Sequence, residues 1–116
     1  MNERDGSLLL NIKEDAELAL KLTDEYDFER FLSDEKTKLA VSMLLIKIGE
    51  FVKSLSEDLK QAYPVVRWGS ITGLRNIAAH NYDGLRMDWV WEIVTRDVPE
   101  LLEQVKGILN AEGVEE

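Results

Sequence analysis

The chain of 116 residues contains no cysteine, two prolines and one histidine. Without thiols there is no disulfide and no thiolate metal site. A lone histidine argues against an imidazole-built zinc site within one chain, since such sites recruit several nitrogen or sulfur ligands. No apolar run approaches the roughly 20 residues of a membrane helix; Lys47 and Glu50 interrupt the longest one. The opening residues, Met1-Asn2-Glu3-Arg4-Asp5, are charged and have no apolar stretch behind them, so no secretory signal is expected. These absences predict a soluble, cytoplasmic protein with no metal, no cofactor and no membrane contact. Apolar residues make up 45% of the chain, enough for one core. A single domain over residues 1–116 is expected, with an ordered part of about 5–110 and an acidic, frayed tail at 111–116.

Positive charge is also scarce. The formal net charge is −9, which opposes strong non-specific binding to phosphate backbones. The deficit is uneven. Residues 1–63 carry 9 basic and 14 acidic side chains, and residues 97–116 carry 1 and 6. Residues 64–96 carry 4 and 3, and all four bases are arginines: Arg67, Arg75, Arg86 and Arg96. Arginine grips phosphate through a planar fork that lysine lacks.

Hydrophobic periodicity predicts helices throughout and no strand. Leu8, Ile12, Ala16, Ala19, Leu22 and Tyr26 recur at steps of three and four over about Gly6 to Tyr26. Residues 24–33 read as a loop or one helical turn anchored by Phe28, Phe31 and Leu32. A second helix is expected from about Asp34 to Ala62, capped by Ser33 or Asp34 and ended by Pro64. Its middle is apolar almost all round, which calls for two buried faces, one against the bundle and one against a second subunit. Gly49 weakens that helix by about 1 kcal/mol relative to alanine, and a close helix–helix approach would explain its presence. A third helix is predicted over Trp68 to Asn81, with Gly84 as its C-terminal cap. A fourth pattern starts near Met87 and keeps Val90, Ile93 or Val94, Val98, Leu101, Val105 and Ile108 in phase. Pro99 falls inside it, and the capping-box spacing of Asp97 and Glu100 predicts a break and restart there. Trp68, Trp89 and Trp91 are expected as core or interface anchors.

The stretch Arg75-Asn76-Ile77-Ala78-Ala79-His80-Asn81-Tyr82 holds the only histidine and joins it to an arginine, an amide and a phenol. At about 100° per residue, Leu74, Ile77 and Ala78 face one side of an ideal helix, while Arg75 and His80 border the other with Ala79 between them. A phosphate fits such a floor. Asn76 and His80 stand four apart and can touch, so the amide can orient the imidazole. The helix C-terminus favours the imidazolium, which suits His80 to proton transfer, and Arg75 would stabilise charge developing on the phosphate. Metal-free RNA cleavage gains from two proton-transfer groups. A two-fold dimer would bring a second His80 to the first. Each residue also has a plainer reading: His80 as a helix-end cap, Arg75 as a salt-bridge partner, Asn76 as a solvated helix residue and Tyr82 as a turn tyrosine before Asp83-Gly84.

At Arg75–Tyr82 the chain resembles the HEPN superfamily (higher eukaryotes and prokaryotes nucleotide-binding domains), and within it the HepT-like toxins. That motif is arginine, a polar residue, three further residues, histidine, any residue and tyrosine; every defined position is matched. The likeness extends to Ile48-Gly49-Glu50, Tyr63-Pro64, Trp68, Gly73-Leu74, Trp91-Glu92-Ile93-Val94 and Asp97-Val98-Pro99-Glu100-Leu101. The resemblance implies an all-α antiparallel bundle of four to five helices that forms a homodimer with both motifs lining one cleft. It implies metal-independent endoribonuclease activity, with Arg75 and His80 catalytic and Asn76 supporting. It further implies a toxin–antitoxin pair, in which a minimal nucleotidyltransferase antitoxin transfers AMP to Tyr82. The alternative reading is a non-catalytic helical dimer that serves such a nucleotidyltransferase as an interaction or nucleotide-contacting partner. A structural bundle without chemistry is the third.

Overall fold

The computed structural model describes residues 1–76 and 86–115. All regular structure among them is helical. Helix α1 (Glu3–Leu22) begins at Asn2, whose side chain accepts from the Asp5 N–H. Helix α2 (Phe28–Ser33) is capped by Asp27, and α3 (Glu35–Ser54) by Asp34. Then follow α4 (Glu57–Ala62), α5 (Trp68–Thr72), a helical stretch at 74–76, α6 (Met87–Glu92), a π-helical turn (Ile93–Asp97) and α7 (Val98–Ala111).

Three polar ties show that α1 and α3 run antiparallel. Arg4 Nη1 donates to the Ser54 carbonyl at 2.7 Å, the Ser56 N–H donates to Asp5 Oδ1 at 2.9 Å, and Lys47 lies 3.2 Å from Asp15. Helix α7 also opposes α1, since the Met1 ammonium lies 3.4 Å from Glu112 just past the end of α7. Helix α1 therefore sits between α3 and α7, and α5 lies on α3. The core between them comes from Leu9, Ile12, Ala16 and Ala19 of α1, Val41, Leu45, Ile48 and Val52 of α3, and Val98, Leu101, Val105 and Ile108 of α7. Fixing long chains into one arrangement opposes folding by about 1–2 kcal/mol per residue, so this continuous apolar seam is what holds the bundle. No described helix is long and apolar enough to cross a membrane.

Several expected boundaries are corrected. Helix α1 starts earlier and stops at Leu22; its buried stripe is centred on Leu9, with Leu8, Leu22 and Tyr26 only partly buried. The long second helix is two. Leu55 turns extended (ψ 148°) and Ser56 restarts the chain, its hydroxyl oxygen accepting from the Leu59 N–H at 3.2 Å. Buried Asp5 makes this break stable by accepting from both the N–H and the hydroxyl of Ser56. The third helix is interrupted at Gly73, where the Asn76 N–H reaches back only three residues to the Gly73 carbonyl at 3.0 Å. Glycines at 69 and 73 weaken a continuous helix here. The expected stretch beyond Asn76, including the Gly84 cap, lies outside the described residues.

At Pro99 there is no break and no capping box. Asp97 makes no side-chain cap, and helical dihedrals continue through Asp97 (φ −79°, ψ −38°) and Val98 (φ −65°, ψ −44°). The turn widens instead to the π form over Ile93–Asp97, just before the proline, which cannot donate to the fourth residue back. The widened turn accommodates one extra residue, and both apolar candidates for the stripe, Ile93 and Val94, are buried. The acidic tail is not frayed as far as Val114. Gly113 takes φ +71°, the Val114 N–H donates to the Leu109 carbonyl at 2.9 Å, and the Gly113 N–H to that of Asn110 at 3.2 Å. These are the two bonds of a Schellman cap. Val114 packs on the core, and Glu112 accepts from the Tyr63 hydroxyl at 2.6 Å.

Candidate functional site

The structure places Arg75 through its backbone first. An added Cβ on Gly49 would lie 3.0 Å from the Arg75 backbone nitrogen, 3.0 Å from its Cβ and 3.1 Å from the Thr72 carbonyl oxygen. Gly49 is thus the seat on which residues 72–75 rest, and the close approach inferred from its position in α3 is real. The next residue completes the arrangement. Arg75 Nη1 donates to Glu50 Oε1 at 2.6 Å, a short charge-assisted bond. That hydrogen bond is the largest influence on the Glu50 carboxyl; desolvation opposes it, the fields of Arg75 and then Lys53 add to it, and the carboxyl is held below its ordinary value.

The Arg75 side chain is 30% exposed and that of Glu50 52%. The pair therefore lies at the surface with one side against the bundle. Arg75 Nε is buried and, among the described residues, has no hydrogen-bond partner. Asn76 is exposed beside it. His80, Asn81 and Tyr82 lie outside the described residues, so the structure positions the first half of the motif only.

Of the other arginines in the least acidic segment, Arg86 stacks over Trp89 at 3.4 Å and lies 3.5 Å from Asp88, while Arg67 lies 3.8 Å from Glu100. A shallow groove between α5 and α7 is lined by Arg67, Ser70, Leu74, Asp97 and Gln104 among others, with two carboxylates against one base. It suits phosphate poorly. Trp68 is a core anchor, its indole N–H donating to the Tyr63 carbonyl at 3.0 Å, and Trp91 packs on Phe31 with ring centroids 5.1 Å apart. Trp89 is not in the core; it stands at the surface under Arg86.

A family model described as "Ribonuclease HepT-like" matches residues 12–108. The chain belongs to the HepT-like ribonuclease family. Among its relatives, "Putative RNase MJ0127" of Methanocaldococcus jannaschii is 35% identical over 95% of this chain and 92% of its own length. "Putative RNase MJ1380" of the same organism is 33% identical over 91% and 98%. "Putative RNase TTE0752" of Caldanaerobacter subterraneus subsp. tengcongensis is 33% identical over 90% and 93%. No solved structure matches the chain significantly. This HepT-like chain adds to the motif a support on α3 that the spacing of Arg75 and His80 did not disclose: Gly49 as seat and Glu50 as hydrogen-bond partner. The signal was present in the sequence as a glycine and a lone acid set inside an apolar helix.

Proposed function

We propose that the chain is a metal-independent endoribonuclease in which Arg75 and His80 act on one phosphodiester and Asn76 orients the imidazole. The observation that carries this reading is Arg75 itself: a motif arginine braced by α3 at its backbone and at its tip, with part of its side chain exposed to solvent. In the proposed reaction a 2′-hydroxyl loses its proton to a base, its oxygen attacks the adjacent phosphorus, and the 5′-oxygen leaves with a proton from an acid. Arg75 binds the non-bridging oxygens, whose charge grows in the transition state. His80 of each of two subunits supplies one proton-transfer group.

The second subunit has a surface to meet. Leu39 and Met43 stand on α3 at 48% and 56% exposure, and Leu18 of α1, opposite Met43 in the antiparallel register, is also exposed. Leu39, Met43 and Glu50 follow one stripe of α3 at steps of four and seven. Pairing two copies through that stripe would set their Arg75–Glu50 pairs near a common two-fold axis. We read the protein further as a toxin whose antitoxin is a minimal nucleotidyltransferase that transfers AMP to Tyr82, blocking RNA by bulk and like charge.

Cleavage of single-stranded RNA in EDTA tests the nuclease reading. Wild type should cleave, and His80→Ala should lose cleavage with its helical signal intact. Full activity in His80→Ala removes that histidine from the mechanism. The pairing of Arg75 with Glu50 favours one second reading, a non-catalytic partner of a nucleotidyltransferase, because the motif cation is partly neutralised already. In that case wild type cleaves nothing, yet Tyr82→Phe still abolishes AMP transfer onto this chain.

A further inference from the structure

We propose that Glu50 is a positioning residue of the ribonuclease site: its carboxylate holds the Arg75 guanidinium so that its terminal Nη groups face the phosphate. The inference rests on the ribonuclease reading above. Its argument begins with what an arginine costs to fix. A free guanidinium on a four-torsion stem carries about 2 kcal/mol of rotamer entropy, and a phosphate that had to order it would bind and react less well. Two features remove that freedom beforehand. Gly49 brings the Arg75 backbone within 3.0 Å of where its own Cβ would be, so the base of the side chain is fixed against α3. Glu50, one residue on, fixes its tip.

The form of the contact separates aiming from neutralising. A carboxylate that saturates arginine does so as a fork, two oxygens on two N–H groups. Among the described residues Glu50 takes a single bond, Oε1 to Nη1, and not the two bonds of a fork. Nε is buried, so a phosphate would meet the terminal Nη end of the guanidinium, where the bond to Glu50 occupies one N–H of Nη1. The bond to Arg75 also holds the Glu50 carboxyl below its ordinary value. Glu50 is half exposed, and exposed ion pairs add little to stability. Its replacement should therefore leave the fold standing and disturb the site.

The test compares Glu50→Ala and Glu50→Gln with wild type in the full chain, by steady-state cleavage of a single-stranded RNA and by NMR of the Arg75 side-chain Nε–H. Glu50→Ala should lower kcat by about 10- to 100-fold, the scale of a misplaced catalytic group, with KM changed less than about threefold. Glu50→Gln keeps an oxygen that can accept from Nη1 and should restore most of that kcat, with a lower KM because one negative charge near the phosphate is gone. The Arg75 Nε–H should exchange with water at least about tenfold faster in Glu50→Ala than in wild type. Wild-type kcat in Glu50→Ala, a rise in kcat, or an unchanged Nε–H exchange rate overturns the proposal. The NMR measurement stands without activity. If wild type cleaves no RNA the ribonuclease reading falls, while the exchange rate still decides whether Glu50 holds Arg75.

Discussion

Gly49→Ala should destabilise this protein, although glycine-to-alanine changes inside helices ordinarily stabilise. At an open helical site the change is worth about 1 kcal/mol in favour of the fold. At position 49 the new methyl would meet the Arg75 nitrogen and Cβ at 3.0 Å and the Thr72 carbonyl oxygen at 3.1 Å. Comfortable contact begins near 3.5 Å, so residues 72–75 must retreat from α3 by about half an ångström. Two of the three atoms are backbone, so no rotamer change relieves the clash. Overpacking of this kind costs about 1–3 kcal/mol. The balance is a loss of about 0–2 kcal/mol, centred near 1, or roughly 4 °C in Tm. Gly107→Ala is the matched control, since α7 offers nothing within 4 Å of its added Cβ; it should stabilise by about 0.5–1 kcal/mol. Urea unfolding followed by far-UV circular dichroism reads both, with midpoints compared at constant m. If Gly49→Ala gains as much stability as Gly107→Ala, the seat for Arg75 does not exist as described. The same variant should cut RNA cleavage, because the retreat carries Arg75 away from its aimed position.

The other expectations are separate from that seat. Gly113→Ala places a Cβ at φ +71° and should lose about 1 kcal/mol by the same urea assay; no loss would mean that the Schellman cap is not formed. Asp34 is held down to about 2 from an ordinary 3.8, first by the Tyr26 hydroxyl at 2.6 Å and then by the N–H and hydroxyl of Thr37. A lowered folded-state value means that its stabilisation is complete above pH 3.8 and disappears as pH falls towards about 2. Tyr26→Phe should therefore move the Asp34 carboxyl titration upward, read by carboxyl-carbon NMR; an unmoved titration refutes the assigned cause. Charging the exposed stripe of α3 with Leu39→Glu and Met43→Glu should give a monomer by sedimentation and lose RNA cleavage together with the dimer. A fully active monomer would place both proton-transfer groups within one chain.

The bundle was legible because its apolar periods are strong. Val90, Val98, Leu101, Val105 and Ile108 are all buried as their spacing requires, and Gly49 lies at a close approach as its helix-weakening character suggested. What periodicity missed were polar details that decide boundaries. The restart at Ser56 depends on Asp5, 51 residues earlier, accepting two bonds from it. Local pattern has no access to such a partner, though Ser56 followed by Glu57 and Asp58 is a usable helix-start signal. At Pro99 the capping-box spacing misled, because a helix can absorb a proline by widening one turn. The presence of two adjacent apolar residues at the ambiguous step, Ile93 and Val94, was the sign of that extra residue.

The site was legible as a motif but not as a mechanism for placing it. Spacing on an ideal helix puts Arg75 and His80 on one side; it says nothing of what Arg75 leans on. The acidic composition sharpens the point. A chain of net charge −9 gains little from long-range attraction to RNA, and three of the four arginines in its least acidic segment already lie near carboxylates. Activity in such a protein has to come from placement and not from accumulated charge. A single-point contact such as that of Glu50 serves this end, since it restrains the cation through one Nη1 bond without engaging both nitrogens of a fork. It follows that added salt should weaken RNA cleavage less steeply than in a basic nuclease, because few phosphate contacts are made and few counterions are released. A slope of log(kcat/KM) against log salt shallower than about −2 fits one or two phosphate contacts per site. A slope several times steeper would show that RNA is held by many cations, and that the braced arginine is not the centre of recognition.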